Sequence, residues 1–143
     1  MKRFIKIIAL GVALVVVVVL WNVIRAARTA LDAEWTLHAF LCVLELTDQY
    51  QKSHQGEWPP DWQSLEQIPY DREGMWKWPE DSAEIQRRIT IDFKASPAEV
   101  AAMSVDDFQP IRQREPCFPT VADGTVQALI ESNRERLGLP SKL

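Results

Sequence analysis

The chain has 143 residues, with 16 basic and 20 acidic side chains, a net charge of −4 and two cysteines. All of the acid lies beyond residue 30: residues 1–30 hold Lys2, Arg3, Lys6, Arg25 and Arg28 and no carboxylate. An acidic body of this kind excludes nucleic acid as a natural partner, since that binding neutralises phosphates, and it disfavours flat adsorption on anionic lipid.

The first element is an apolar run from Ile7 to Ile24 with Val15–Val19 at its centre. Eighteen uncharged residues are about what an α-helix needs to cross the hydrocarbon core of a bilayer. The run is longer than the apolar region of a cleaved signal peptide, and Arg25 and Arg28 stand where a cleavage site would be expected, so the sequence predicts an uncleaved anchor. Residues 1–25 are therefore expected to form a transmembrane anchor and residues 26–143 one small domain. Three basic residues precede the run and two follow it, which places the N-terminus inside and the domain on the periplasmic or extracellular side of an inner membrane.

No proline occurs before Pro59, so nothing forces the helix to stop at Ile24. Leu31, Trp35, Ala39, Cys42, Leu46 and Tyr50 recur at three or four residues, with Leu37, Leu41 and Leu44 widening the stripe. That spacing predicts an amphipathic continuation to about His54, with Gly56 supplying the left-handed stop. From Phe4 to His54 a single helix would be about 75 Å long at 1.5 Å per residue. Asp61 is expected to cap a short turn through Leu65 and Ile68. Alternation from Ile85 to Phe93 predicts a strand, Ser96-Pro97-Ala98-Glu99 a capping box that opens a short helix ending near Met103, and Phe108–Arg114 a second strand confined to an edge by Pro110. A last helix starts at Asp123 with Val126, Leu129, Ile130 and Leu137 on one face, closed by Gly138 and Pro140. The fold class expected is α+β: a long N-terminal helix packed on a small antiparallel sheet with short helices.

A basic start, a membrane-length helix and its amphipathic extension lead into Tyr50, Gly56, Trp58-Pro59 and Leu65. Over residues 1–68 this layout resembles type IV pilins and pseudopilins. The resemblance implies that the upper half of the helix packs on a small sheet while the apolar half self-associates in a filament. The family's processing Gly, followed by Phe-Thr-Leu-x-Glu, is not reproduced: Gly11 is followed by Val12-Ala13-Leu14-Val15-Val16.

Candidate sites are few. Trp58, Trp62, Trp76 and Trp78 fall within 21 positions, and they would serve either as packing for a modest core or as an aromatic contact surface. Cys42 and Cys117 would pair if the domain is exported, or remain two small buried thiols. His38 and His54 come without a ligand set, and Asp71/Glu73, Glu80/Asp81 and Asp106/Asp107 read as solvated turns, so neither metal nor cofactor is expected. No motif that activates a Ser, Cys or Lys nucleophile is present. The expectation is a non-enzymatic, single-pass membrane protein. It would act on an envelope protein, or on itself through the N-terminal helix, with membrane lipid as its other partner. A minor pseudopilin of a secretion or pilus machine and a membrane-tethered enzyme subunit are the alternatives.

Overall fold

The computed structural model describes residues 2–70, 74–115 and 123–141, with side chains in the first helix described at Gly11 and from Leu14 onward. That helix, α1, runs unbroken over Lys2–Ser53. It is followed by α2 (Trp62–Glu66), α3 (Ser82–Arg88), β1 (Ile89–Ile91), α4 (Pro97–Ala102), β2 (Ile111–Gln113) and α5 (Asp123–Arg136). The result is an α+β arrangement. The chain divides into two compact units, Met1–Ala33 and Glu34–Leu143.

In the first unit Leu14 to Leu31 present every described side chain to the surroundings. Val16, Leu20 and Val23 are each about half exposed or more, with nothing in the unit to cover them. A helix that is apolar on all sides and uncovered is the form a lipid-facing segment takes. α1 is long and apolar enough to cross a membrane.

In the second unit burial on α1 becomes regular from Thr36. Ala39, Cys42, Val43, Leu46 and Tyr50 point into the core, while Leu31, expected in the same stripe, precedes the core and is 56 % exposed. α1 ends through two left-handed residues rather than one. Gln55 (φ 54°) comes first and Gly56 (φ 89°) second, and the Gly56 N–H donates to the Gln51 carbonyl at 2.8 Å. That backbone geometry is why glycine suits position 56.

The strand expected over Ile85–Phe93 is mostly helix. Its first half is α3, and only Ile89–Ile91 is strand. Ile85 and Ile89, four residues apart, satisfy a helical face as well as an alternating one, and both are fully buried. Glu84 in the first turn and Arg87 and Arg88 in the last oppose the helix dipole favourably, and Glu84 pairs with both arginines. β1 pairs antiparallel with β2 in the register Ile89↔Gln113, Thr90↔Arg112 and Ile91↔Ile111. Pro110, expected within the second strand, stands just before it and accepts from the Asp92 N–H at 2.7 Å, which requires no donor of its own.

The capping box of α4 forms as its sequence predicts. Ser96 Oγ accepts from the Glu99 N–H, and Glu99 accepts from the Ser96 N–H. α5 buries Val126, Leu129 and Ile130 against the core, but Leu137 is 47 % exposed because the helix has ended at Arg136. Gly138 (φ 65°) donates to the Glu135 carbonyl and Leu139 to the Arg134 carbonyl, a Schellman closure. The buried Arg134 guanidinium donates to the Ala101 carbonyl at the end of α4 (2.8 Å) and to the Pro140 carbonyl, tying α4 and the tail to α5.

α1 and α5 are locked by polar groups. Gln51 Nε2 donates to Asn133 Oδ1 (2.7 Å), Asn133 Nδ2 donates back to Gln51 Oε1 (3.1 Å), and Arg136 donates to Gln51 Oε1 and to Asp48 Oδ1, both at 2.9 Å. Burial alone would raise Asp48. Hydrogen bonds from Lys52, Arg136 and Ser132 outweigh it and hold the carboxyl below its usual range.

Candidate functional site

Each of the four sequence-singled tryptophans outside the anchor has a fixed place. Trp58 is buried and its indole N–H donates to the Asp92 carbonyl at 2.9 Å, just past β1. Trp78, buried beside the cis Trp78–Pro79 peptide, donates to the Leu65 carbonyl at 3.2 Å. Trp76 is buried as well. It donates to the Trp35 carbonyl at 3.0 Å, meets the Trp35 ring edge to face at 4.7 Å and carries the Arg88 guanidinium 5.7 Å from its ring centre. Trp62 is half-buried against Phe93 at 5.8 Å. Three of the four rings are thus spent inside, each N–H satisfied by a carbonyl of another segment, as buried indoles require. They do not make a surface together.

Beside Trp76 opens a cleft of about 450 Å³ whose polar lining includes His38, Glu45, Tyr70 and Thr125 around Cys42. The Tyr70 hydroxyl donates to Glu45 Oε2 at 2.9 Å. Cys42 is buried and forms no disulfide among the described residues. Burial pushes it up to about 11, partly offset by its side-chain interaction with Tyr70. Burial and the neighbouring Cys42 push the Tyr70 hydroxyl up to about 12. Both groups are therefore protonated at neutral pH. Tyr70 and Glu45 escaped the sequence reading because 25 residues separate them and no local spacing joins them.

The remaining candidates are local. His54 stacks on Tyr50 at 3.9 Å and bonds within its own turn, and His38 is exposed. Asp81 accepts from the Lys77 N–H, and Asp107 accepts from Ser104 Oγ, as turn residues do. Asp71, Glu73 and Cys117 lie outside the described residues, and with Cys117 so does its pairing with Cys42. Among the described residues no three His, Cys, Asp or Glu groups come together as metal ligands. The chain matches no protein-family model, no curated protein and no solved structure.

The state of Cys42 is directly testable. With a pKa about two units above that of a free thiol, its thiolate fraction at pH 7.5 is lower by about a hundredfold. Alkylation of the native chain by N-ethylmaleimide, read at Cys42 by peptide mass mapping, is expected to be slower than in urea by at least that factor. It should accelerate about tenfold per pH unit as pH rises toward 11. The unfolded thiol ionises near 9.0 and the folded one near 11, so this group's contribution to stability is intact below 9 and falls as pH rises between them. Alkylation at the denatured rate would contradict this placement.

Proposed function

We propose that this is a single-pass membrane protein whose C-terminal α+β unit is displayed on the outer side of an inner membrane and acts by contact with an envelope protein, not by catalysis. The observation that carries the reading is the uncovered apolar surface of α1 from Leu14 to Ile24, a hydrophobic area that a protein in water would have to hide. Three basic residues before the run against two after it support the orientation, since cytoplasmic flanks collect Lys and Arg.

A minor pseudopilin is the second reading. It draws on the unbroken course of α1 from Lys2 to Ser53 and on the antiparallel strand pair in the second unit. The missing Phe-Thr-Leu-x-Glu after Gly11 weighs against it.

Two measurements test these readings. Protease added to intact spheroplasts is expected to digest the C-terminal unit and leave the anchor, whereas full protection would reverse the orientation. Intact mass of the membrane-extracted chain is expected to show no cut after Gly11. A chain truncated there and found in filaments would replace the first reading with the second.

A further inference from the structure

The polar side chains at the upper end of the apolar run divide into two kinds. Asn22 turns its amide onto the Val18 carbonyl at 2.7 Å, and Thr29 turns its hydroxyl onto the Arg25 carbonyl at 3.0 Å. Both satisfy a donor on their own helix, as such residues do where water is scarce. Arg25 and Arg28 are different. Neither has an ion-pair partner among the described residues, and the Trp21 indole N–H has no hydrogen-bond partner there.

These three residues stand at i, i+4 and i+7, one stripe of the helix. Together with Ile24 and Thr29 they border a shallow groove of about 280 Å³ within the first unit. From Trp21 to Arg28 the helix rises about 10 Å. The polar layer of one leaflet is roughly 5–8 Å thick. Indoles settle at that layer, and guanidinium groups bind phosphate oxygens through two parallel N–H donors. Below Trp21 the same stripe continues through Val17 and Leu14, both exposed and apolar. The nearest carboxylate, Asp32, stands four residues beyond Arg28 and so one turn further along the same stripe, on the far side of the two arginines from the apolar run.

We propose that Trp21, Arg25 and Arg28 form a clasp for the phosphate of an anionic phospholipid, whose acyl chains lie along Val17 and Leu14. The clasp rests on the membrane-anchored reading above. Two fixed positive charges against a single phosphodiester favour a lipid with net negative charge over a zwitterionic one. The lipid would hold the anchor at a set depth and stop it from sliding along the bilayer normal.

The test uses the full chain in nanodiscs of phosphatidylcholine with about 30 % phosphatidylglycerol, a range in which the surface charge matters. Native mass spectrometry then reads which lipids stay bound. Phosphatidylglycerol is expected to be enriched over its bulk share, and each of Arg25→Gln and Arg28→Gln to lower that enrichment by about fivefold. Trp21→Leu should lower it too, while the same charge change in the second unit, Arg112→Gln with Arg114→Gln, should leave it intact. Enrichment equal to the bulk share, or unaltered in the Arg25/Arg28 double variant, overturns the clasp. So does its loss on adding inorganic phosphate, which would assign the site to the free ion. Flotation with the same lipids as vesicles separates the two levels. A chain that fails to float refutes anchoring and clasp alike, and one that floats without selecting lipid refutes the clasp alone.

Discussion

Asn133→Leu is expected to destabilise the second unit by about 2–3 kcal/mol, the cost of removing three buried hydrogen bonds, two with Gln51 and one to the Leu129 carbonyl, and leaving a donor short of a partner. Asn133 and Gln51 are both fully buried and bonded to each other in both directions. After the substitution Gln51 Nε2 keeps only the longer contact to the Gly56 carbonyl at 3.3 Å. Its Oε1 keeps Arg136. Urea unfolding of the full chain in detergent, followed by tryptophan fluorescence, should show the midpoint lower by about 1 M with an unchanged slope. Gln51→Leu should cost a similar amount, because it leaves Asn133 Oδ1 without its donor and takes one of the two hydrogen bonds of Arg136, which keeps Asp48. The double variant should fall short of the sum by about 1–2 kcal/mol, as residues sharing a network do. A loss under about 0.5 kcal/mol for Asn133→Leu would mean that α5 is not held to α1 by this pair. Asp48 adds a pH dependence to the same seam. Its carboxyl is held low, so its contribution is present above 3.8 and is lost as pH falls below that value through the folded one.

That seam is also where the sequence is least informative. Gln51 and Asn133 lie 82 positions apart on helices, and each looks like an ordinary solvent-facing polar residue until the two helices are brought together. Arg134 reads as a last-turn cation that suits the helix dipole, whereas it is buried and joins α4, α5 and the tail. Local signals fared better. The Ser96–Glu99 box, the Asp61 cap that accepts from the Ser64 N–H, and the positive φ at Gly56 and Gly138 each depend on a few adjacent residues. The Ile85–Phe93 segment shows how a short run can satisfy two periods. Its alternation is genuine, but Ile85 and Ile89 also repeat at four, and the Glu84 pairing with Arg87 and Arg88 tips the first half to helix. The tryptophans were legible as a cluster but not as a role, because their fate turns on which distant carbonyl each N–H meets. The clasp residues were visible as charges and a ring. Their shared stripe lies in the spacing 21, 25, 28.

The largest effect is expected in the anchor, from Val15→Arg combined with Val17→Arg. The run from Ile7 to Ile24 contains 13 Ile, Leu and Val residues. At about 0.3–0.6 kcal/mol each they favour insertion by about 4–8 kcal/mol if all counted as central, and Asn22 and the flanks reduce that figure. One central arginine costs about 2.5–3.5 kcal/mol, which the run can absorb. Two cost about 5–7 kcal/mol and also remove two valines, which brings the balance to zero or beyond. Both side chains are exposed in the first unit, so the change breaks no contact inside the folded chain. Carbonate extraction of cell membranes should move the double variant from the pellet to the soluble fraction. Val15→Leu with Val17→Leu should stay in the pellet. Leu31→Arg should also stay there, because Leu31 lies beyond the run although it is equally exposed. If the arginine pair remained as firmly embedded as Leu31→Arg, the apolar run would not be what holds this chain to the bilayer, and the lipid clasp above it would lose its footing as well.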